Sequence, residues 1–580
     1  MLLYAGPAPS LPSTAFLYFI FLPCRRQPAA GTGAAPRSEF ARRLCYRYNT
    51  KSRAPWSCRR TMKNRRRDLV LIFSLLCLGA ASFFYAKKLR RADSGPLRVS
   101  IPLDKPAGYY DPAKTQRAVG QYFFLENIYT PLLEYTPEGK LVSAAADSFG
   151  WQGNDARFAI RRGLYTAGGH EVDAYDAEAS LKRLFILDRA ARGDLEARLC
   201  RGRRLAGLRD ACPGIKVQDG GRVLVLSFAE RSPHIFTTLA TIDFAVVPKT
   251  SIDPVTLAIT DYRNTSGPYF VERDDPRGKL VLRANPRHFH YSPAMPQEVE
   301  LVPYDPAKPE ELLRMFSAGE IDLITTLDKL PCEVMIGFVR DNGRTANLHR
   351  TYPIKLFLAA FTAKGMKGLN ERERWNLGRA IKETFNRHAL ARAGYENSDQ
   401  LFTLEGTLSD SALSAIAAKF GRPDPGSLPA RSLTVWDGTG ILYDNAEDFS
   451  RVLPRLKVLK MKKNPVFTDF KKEKLEEPDL YVAGYNVGLQ DDIGLVAYHM
   501  NTGTLLPRKV KKEDWMRIYT REEDKARRFE LMRALQYESL EQAVVVPLAI
   551  APYTAIARKP WKFHLPRHLA GNPVWRISRD

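Results

Sequence analysis

The stretch His288-Phe289-His290 holds two imidazoles two residues apart, which places both on one face of an extended chain, a spacing that a metal ion could use. No third ligand stands nearby in sequence, so a surface turn is preferred over a metal centre. Carboxylates gather in DAYDAE (173–178) and EEPD (476–479), but nothing pairs them into a general acid and base at a predictable separation. Asp491 and Asp492 read either as a solvated turn or as carboxylates available to a cationic ligand group. No G-x-S-x-G, H-E-x-x-H or phosphate-cradling glycine loop occurs. The sequence therefore offers no catalytic residue, no metal set and no cofactor motif, and what remains is non-covalent recognition.

Cysteine usage depends on compartment. Cys200 and Cys212 bracket the basic loop RGRRLAGLRDA, and an oxidising environment would let them pair; in a reducing one they stay free thiols. Cys332 is left single in either case.

The chain has 580 residues and a formal charge of +24, which raises the question of nucleic acid. The charge is concentrated at one end. Residues 1–92 hold 18 Lys and Arg against only Glu39 and Asp68, leaving 70 basic and 62 acidic groups for the other 488 residues. A nearly balanced body argues against nucleic-acid binding. Residues 1–61 are rich in Pro, Arg and small residues and read as an unstructured extension, or as translated sequence upstream of a true start at Met62. Residues 62–92 follow with a basic head and an apolar run from Leu69 to Ala86. This is a signal peptide, an uncleaved membrane anchor or, through Cys77, a lipid-bearing segment, and each exports the bulk of the chain.

Behind these residues stand alternating strands and helices. LRVSIP, RVLVLSF, DFAVVP, EVELVPYDP, LTVWDG and DLYVAGYN read as strands. AVGQYFFLENIYTPLLEY has Phe124, Ile128, Leu132 and Leu133 at helical spacing, and DAEASLKRLFIL is a short helix beginning after the capping-competent Asp176. NERERWNLGRAIKETFNRHALARAG is a long helix, and RRFELMRALQYESLEQAVVVPLAI is a helix running into a buried strand. The pattern predicts an α/β protein with at least two sheet-centred lobes.

In order along the chain, several phrases resemble the extracytoplasmic solute-binding proteins of ABC importers, in the large family that binds oligopeptides, dipeptides and nickel complexes. They are YYDPAKTQRAVGQYFFLENIYTPLLEYTPEGKLVSAAADSFGW, RRGLYTAGGHEVDAYDAEASLKRL, the hairpin Ser266-Gly267-Pro268-Tyr269 to Leu282-Arg283-Ala284-Asn285-Pro286, and RWNLGRAIKETFNRHAL. The resemblance covers roughly residues 97–580. It implies an α/β, two-lobed periplasmic-binding-protein-like fold (type II) with an extra subdomain in the first lobe. The implied divisions are 93–297 for that lobe, 298–545 for the second, and 546–580 for a return to the first. It also implies a monomer at the periplasmic or extracytoplasmic face of the inner membrane that captures a peptide or peptide-like solute and hands it to an ABC permease. The cleft would be lined by Gln121, Tyr122, Ser266 and Gly267 from the first lobe, and by Gly484, Tyr485, Asn486 and Asp491 from the second.

One departure stands out. The family's Trp and its following Asp, which meets a peptide's amino terminus, correspond to Tyr485 and Gly488 here. A buried ammonium without that carboxylate would lose several kcal/mol of hydration. An anchored sensor or scaffold whose cleft no longer takes the ancestral ligand is therefore the alternative function.

Overall fold

A computed structural model describes residues 95–102, 110–114, 119–187, 195–231, 234–275, 280–305, 307–325, 330–402, 406–421, 431–461, 470–486, 511–568 and 571–579. The expected extension and the apolar run at 69–86 lie outside them. Among the described residues no helix is long and apolar enough to cross a membrane.

Strand β1 (Leu97–Pro102) opens the described chain. Helix α1 (Val119–Ile128) follows, and it is shorter than its apolar spacing predicts. Pro131 disfavours helical geometry in the residue before it, so Leu133 falls in strand β2 (Leu133–Tyr135), paired with β3 (Leu141–Ser143).

An extra subdomain is then built from β4 (Ala146–Gln152), β5 (Asp155–Ile160), helix α2 (Ala174–Leu187), β6 (Ile215–Gln218) and β7 (Val223–Ser227). Its four strands pair antiparallel in the order β4-β5-β7-β6 over a separate core around Phe158, Phe185 and Leu226. Helix α2 begins two residues before Asp176. Asp173 accepts from the Tyr175 and Asp176 amides, while the Asp176 carboxylate turns back to the Asp173 and Lys249 amides. Cys200 and Cys212 form a disulfide inside this subdomain, and Cys332 is a buried free thiol. DFAVVP is no strand: Ile242–Phe244 form a 3-10 turn, and Val246 makes a single bridge to Thr130.

The hairpin β8 (Tyr269–Asp274) and β9 (Leu280–Ala284) leads to β10 (Glu298–Tyr304). Helix α3 (Glu311–Ala318), ended by Gly319 at φ 76°, precedes β11 (Leu323–Ile324) and helix α4 (Cys332–Asn342). Strand β10 pairs antiparallel with β9 and parallel with β1, so residues 298–304 belong to the first half's sheet. The division expected at 297/298 falls just before β10, and the next long strand follows α4.

That strand is β12 (Ala346–Phe361), sixteen residues long. Helix α5 (Glu371–Ala389) starts with a capping box in which Asn370 and Glu373 satisfy each other's amides at 2.9 and 2.8 Å. Then come β13 (Glu396–Asn397), helix α6 (Asp410–Phe420), β14 (Leu433–Asp437), β15 (Leu456–Lys460) and β16 (Leu480–Asn486). Helices α7 (Lys512–Arg521) and α8 (Lys525–Glu541) lead into β17 (Val545–Arg558), and β18 (Trp561–Phe563) and β19 (Ile577–Arg579) close the chain. The main sheet runs β15-β14-β16-β12-β17-β11-β1-β10-β9-β8, with β13 also on β17. The first half keeps a core around Phe124, Tyr269 and Leu301. The second buries both faces of its sheet, one around Leu356 and Trp436, the other around Phe357 and Phe385.

Candidate functional site

Among the described residues, strands β12 and β17 alone carry the main sheet from one half to the other. Their ladder runs from Ala346 opposite Arg558 to Ala360 opposite Val545, and its register shifts on both sides of Pro353, which faces Pro552. A third register shift lies further on, at Phe357/Leu358, where Leu358 faces Pro547. Neither Pro353 nor Pro552 has an amide hydrogen to donate, so the ladder is interrupted where the strands leave the first half.

Beyond this point β16 joins the outer edge of β12, with Asn486 opposite Lys355, Tyr485 opposite Leu356 and Gly484 opposite Phe357. Tyr485 is half-buried against the core that holds Leu356, and Gly484 is exposed. A Cβ on Gly484 would stand 3.0 Å from Lys355 Cε and 3.1 Å from Phe357 Cε1, so glycine leaves room for the lysine stem. The Lys355 ammonium lies 5.3 Å from the Phe357 ring centre and 5.6 Å from that of Tyr553. Burial holds its pKa below the usual lysine value, opposed by Cys332 and Glu333. Glu333 is itself paired with Arg392 at 3.0 Å, and burial pushes the Cys332 thiol up to about 12. Lys355 and Tyr553 were not anticipated, although a single lysine inside the apolar run IKLFLAAF was the available signal.

On the first half, Ser266 and Gly267 are buried. The Ser266 hydroxyl accepts from the Thr130 amide at 3.0 Å and donates to the Val246 carbonyl. The Gly267 amide donates to the Ile128 carbonyl at 3.0 Å, and a Cβ there would stand 2.2 Å from the Ile128 carbonyl carbon. These two residues fix the end of α1, the helix that carries Gln121 and Tyr122. The side chains of Gln121, Tyr122 and Asn486, and all of Gly488, Asp491 and Asp492, lie outside the described residues.

The histidine pair is not a surface turn. His288 is 4% exposed, its Nε2 lies 3.0 Å from Thr130 Oγ1, and burial holds its pKa far below the usual imidazole value. His290 stacks on Trp575 at 3.7 Å and meets Glu134 at 3.0 Å. Among the described residues no cluster of three or more His, Cys, Asp or Glu could hold a metal.

The halves also touch away from the crossing strands. The His234 ring lies parallel to Tyr519 of α7, 5.0 Å between centres and 12° between planes, and Tyr519 stacks in turn on Trp515 at 4.7 Å. Glu230 and Arg521 form an ion pair of 2.8 Å beside them. Glu230 and His234 follow β7 of the subdomain, so this contact joins the first half to the second.

Two bodies with separate cores, two crossing strands and a contact away from the crossing make a recognisable architecture. The fold is that of the two-lobed solute-binding proteins. No family model and no curated protein sequence matches the chain. Among solved structures, the Escherichia coli murein tripeptide binding protein MppA superposes with a TM-score of 0.63 at 17% identity, over 83% of this chain and 98% of its own. The PBP AgaA from A. tumefaciens R10, in complex with agropinic acid, gives 0.62 at 15% identity, over 84% and 99%. NikA from Staphylococcus aureus, in complex with Ni(L-His)2, gives 0.61 at 13% identity, over 84% and 100%. The two-lobed fold spans these neighbours nearly end to end, and their ligands differ widely in chemistry.

Proposed function

We propose that this protein is an exported solute-binding protein that closes two lobes on a small organic solute, a peptide or peptide-like molecule, and delivers it to an ABC importer. The observation that carries the reading is the pair of crossing strands weakened at Pro353 and Pro552 between two separately cored lobes. Solute touching both lobes favours the closed arrangement, and a membrane partner can distinguish closed from open without any covalent step. Tether and address come from residues 69–86, which place the lobes at the outer face of the inner membrane.

In this reading Gln121 and Tyr122 of α1 line one wall, while Gly484, Tyr485, Asn486 and Asp491 line the other. Ser266 and Gly267 hold the first wall in place from behind. Tyr485 offers an aromatic face with a polar tip, suited to a partly apolar solute. Gly488, where peptide-binding relatives place an Asp, favours solutes without a free amino terminus, and it keeps open a sensor or scaffold with no transport role.

Mass spectrometry of the denatured full-length protein tests for co-purified solute, and thermal-shift screening uses peptide pools with free and with blocked amino ends. Stabilisation by the blocked pool, lost in Tyr485→Ala while that variant stays folded, supports solute capture. A protein that retains nothing and responds to neither pool supports the scaffold instead.

A further inference from the structure

Lys355 follows Pro353 by two residues, where β12 enters the second half, and its partner across the ladder is Asn486, the last residue of β16. Strand β14 pairs parallel with both β15 and β16, so the three point their carboxyl ends the same way. For β16 that end lies beside the crossing. The crevice outside the carboxyl ends of parallel strands is where open α/β sheets receive ligands.

Residues paired across a ladder share a face, as do alternate residues of one strand. Lys355, Phe357, Gly484 and Asn486 therefore stand on one face of the sheet. Gly484 is exposed and Lys355 half-buried, so this face is open to solvent beside the lysine. The absence of a side chain at 484 keeps it open, since a Cβ there would meet the Lys355 stem.

Little in the fold neutralises this cation. Lys355 forms no ion pair and no hydrogen bond among the described residues. Its ammonium meets the ring of Phe357 on the second-half side of the prolines and the ring of Tyr553 on the first-half side. Glu333 acts on it only from a distance and is committed to Arg392 at 3.0 Å, while the Cys332 thiol, pushed up to about 12, carries no charge at pH 7. Ring faces offset part of the lost hydration, and an anion would offset the rest.

We propose that Lys355 is a specificity-determining residue of the solute cleft, and that the solute presents a free carboxylate to its ammonium. This rests on the solute capture proposed above and adds the sign of the charge that the cleft selects: an anionic peptide-like molecule with a blocked amino end. The assignment stands on the face shared by Lys355, Phe357 and Gly484, and does not require Tyr485, which pairs with Leu356 and turns to the other face.

Thermal-shift titration of the full-length protein at pH 7.0 compares two pools of N-acetylated dipeptides and tripeptides that differ only at the far end, one with free carboxylates and one amidated. The expected result is an apparent affinity at least about tenfold higher for the free-carboxylate pool, the lower end of what a hydrogen bond to a charged group contributes. Lys355→Met keeps an apolar stem and should erase that preference. Lys355→Arg keeps the charge and should retain most of it, which a role in packing alone would not predict. Equal affinity for the two pools in the wild type overturns the assignment while leaving solute capture standing, whereas a response to neither pool overturns both. A preference that survives in Lys355→Met also overturns it, because the carboxylate is then held elsewhere. The comparison of pools on the wild-type protein stands even if a variant fails to fold.

Discussion

Replacing His234 by Ala together with Arg521 by Gln removes two contacts between the subdomain and α7 while leaving the Tyr519 core in place. The Glu230–Arg521 pair is 2.8 Å long but more than half exposed on both sides, at 57% and 52%, so it contributes only about 0.2–1 kcal/mol. The His234–Tyr519 stack lies in a dry environment, with Tyr519 fully buried and His234 at 5%, and a ring pair of this kind adds about 0.5–1.5 kcal/mol. Together they favour the arrangement of this structure by roughly 1–2 kcal/mol, a factor of about 5 to 30 over an arrangement without the contact. Hydrogen exchange read by mass spectrometry on the full-length protein should show residues 234–240 and 511–521 exchanging faster in the double variant by a factor in that range. Segments of both cores, such as 280–284 and 356–360, should be unchanged. Molar salt should reproduce the smaller, ionic part in the wild type, since screening then acts over about 3 Å. Exchange within twofold of the wild type at both segments would refute the reasoning, because the contact would then hold no free energy and the closed arrangement would rest on the crossing strands alone.

Arg183 is fully buried and meets both oxygens of Asp111, at 2.7 and 2.5 Å, so Arg183→Met should cost about 3–5 kcal/mol in urea unfolding, with part regained in Asp111→Asn/Arg183→Met. A single-variant loss below 1 kcal/mol would show the pair to be dispensable. Serine at both Cys200 and Cys212, which close a short loop with a separation of 12, should lower stability by about 3 kcal/mol, and treating the wild type with reductant should match it. Glu126 is pushed up to about 7 by burial, above its unfolded value of 4.5, even though the Asn572 amide and Arg576 oppose the shift. The folded state therefore binds the proton more tightly, so stability contributed below pH 4.5 is lost as pH rises through 7, and Glu126→Gln should flatten the decline between pH 5 and 8. Parallel pH profiles for wild type and variant would contradict that assignment.

Local chemistry made much of the fold legible. Asn370 and Glu373 announce the start of α5, and the switch from RRFELMRALQYESLEQ to AVVVPLAI marks where α8 gives way to β17. Legibility failed where a residue's role depends on a distant neighbour. Ser266 beside Gly267 looks like a polar loop edge, yet it is sealed by Thr130 and Val246, which no spacing in the hairpin predicts. The histidines 288 and 290 likewise owe their environments to Thr130, Glu134 and Trp575. The contact between His234 and Tyr519 joins residues 285 apart in sequence and leaves no local trace. The pairing of β10 with β9 and β1, and the prolines facing each other in β12 and β17, likewise depend on partners far away in sequence.

In the proposed function, the position of Pro353 governs how the lobes move. Elsewhere, bending a β-ladder breaks inter-strand hydrogen bonds, each worth about 0.5–1.5 kcal/mol net. At Pro353 and Pro552 two donors are already missing and the register slips on either side, so rotation there disturbs few ladder bonds, and what it meets is the Tyr553 amide on Thr351 Oγ1 at 2.8 Å and the Tyr352 amide on the Arg567 carbonyl at 2.7 Å. Each lobe buries its own apolar residues, and helix α4 bridges them, with Cys332 in the second lobe's core and Met335 in the cluster of Tyr304 and Phe316. What distinguishes closed from open is then mainly the contact around Tyr519 and whatever occupies the space between the walls. A bias of one or two kcal/mol from the first is small enough for the second to overrule, which is the condition under which a bound solute, rather than the fold itself, sets the state of the lobes.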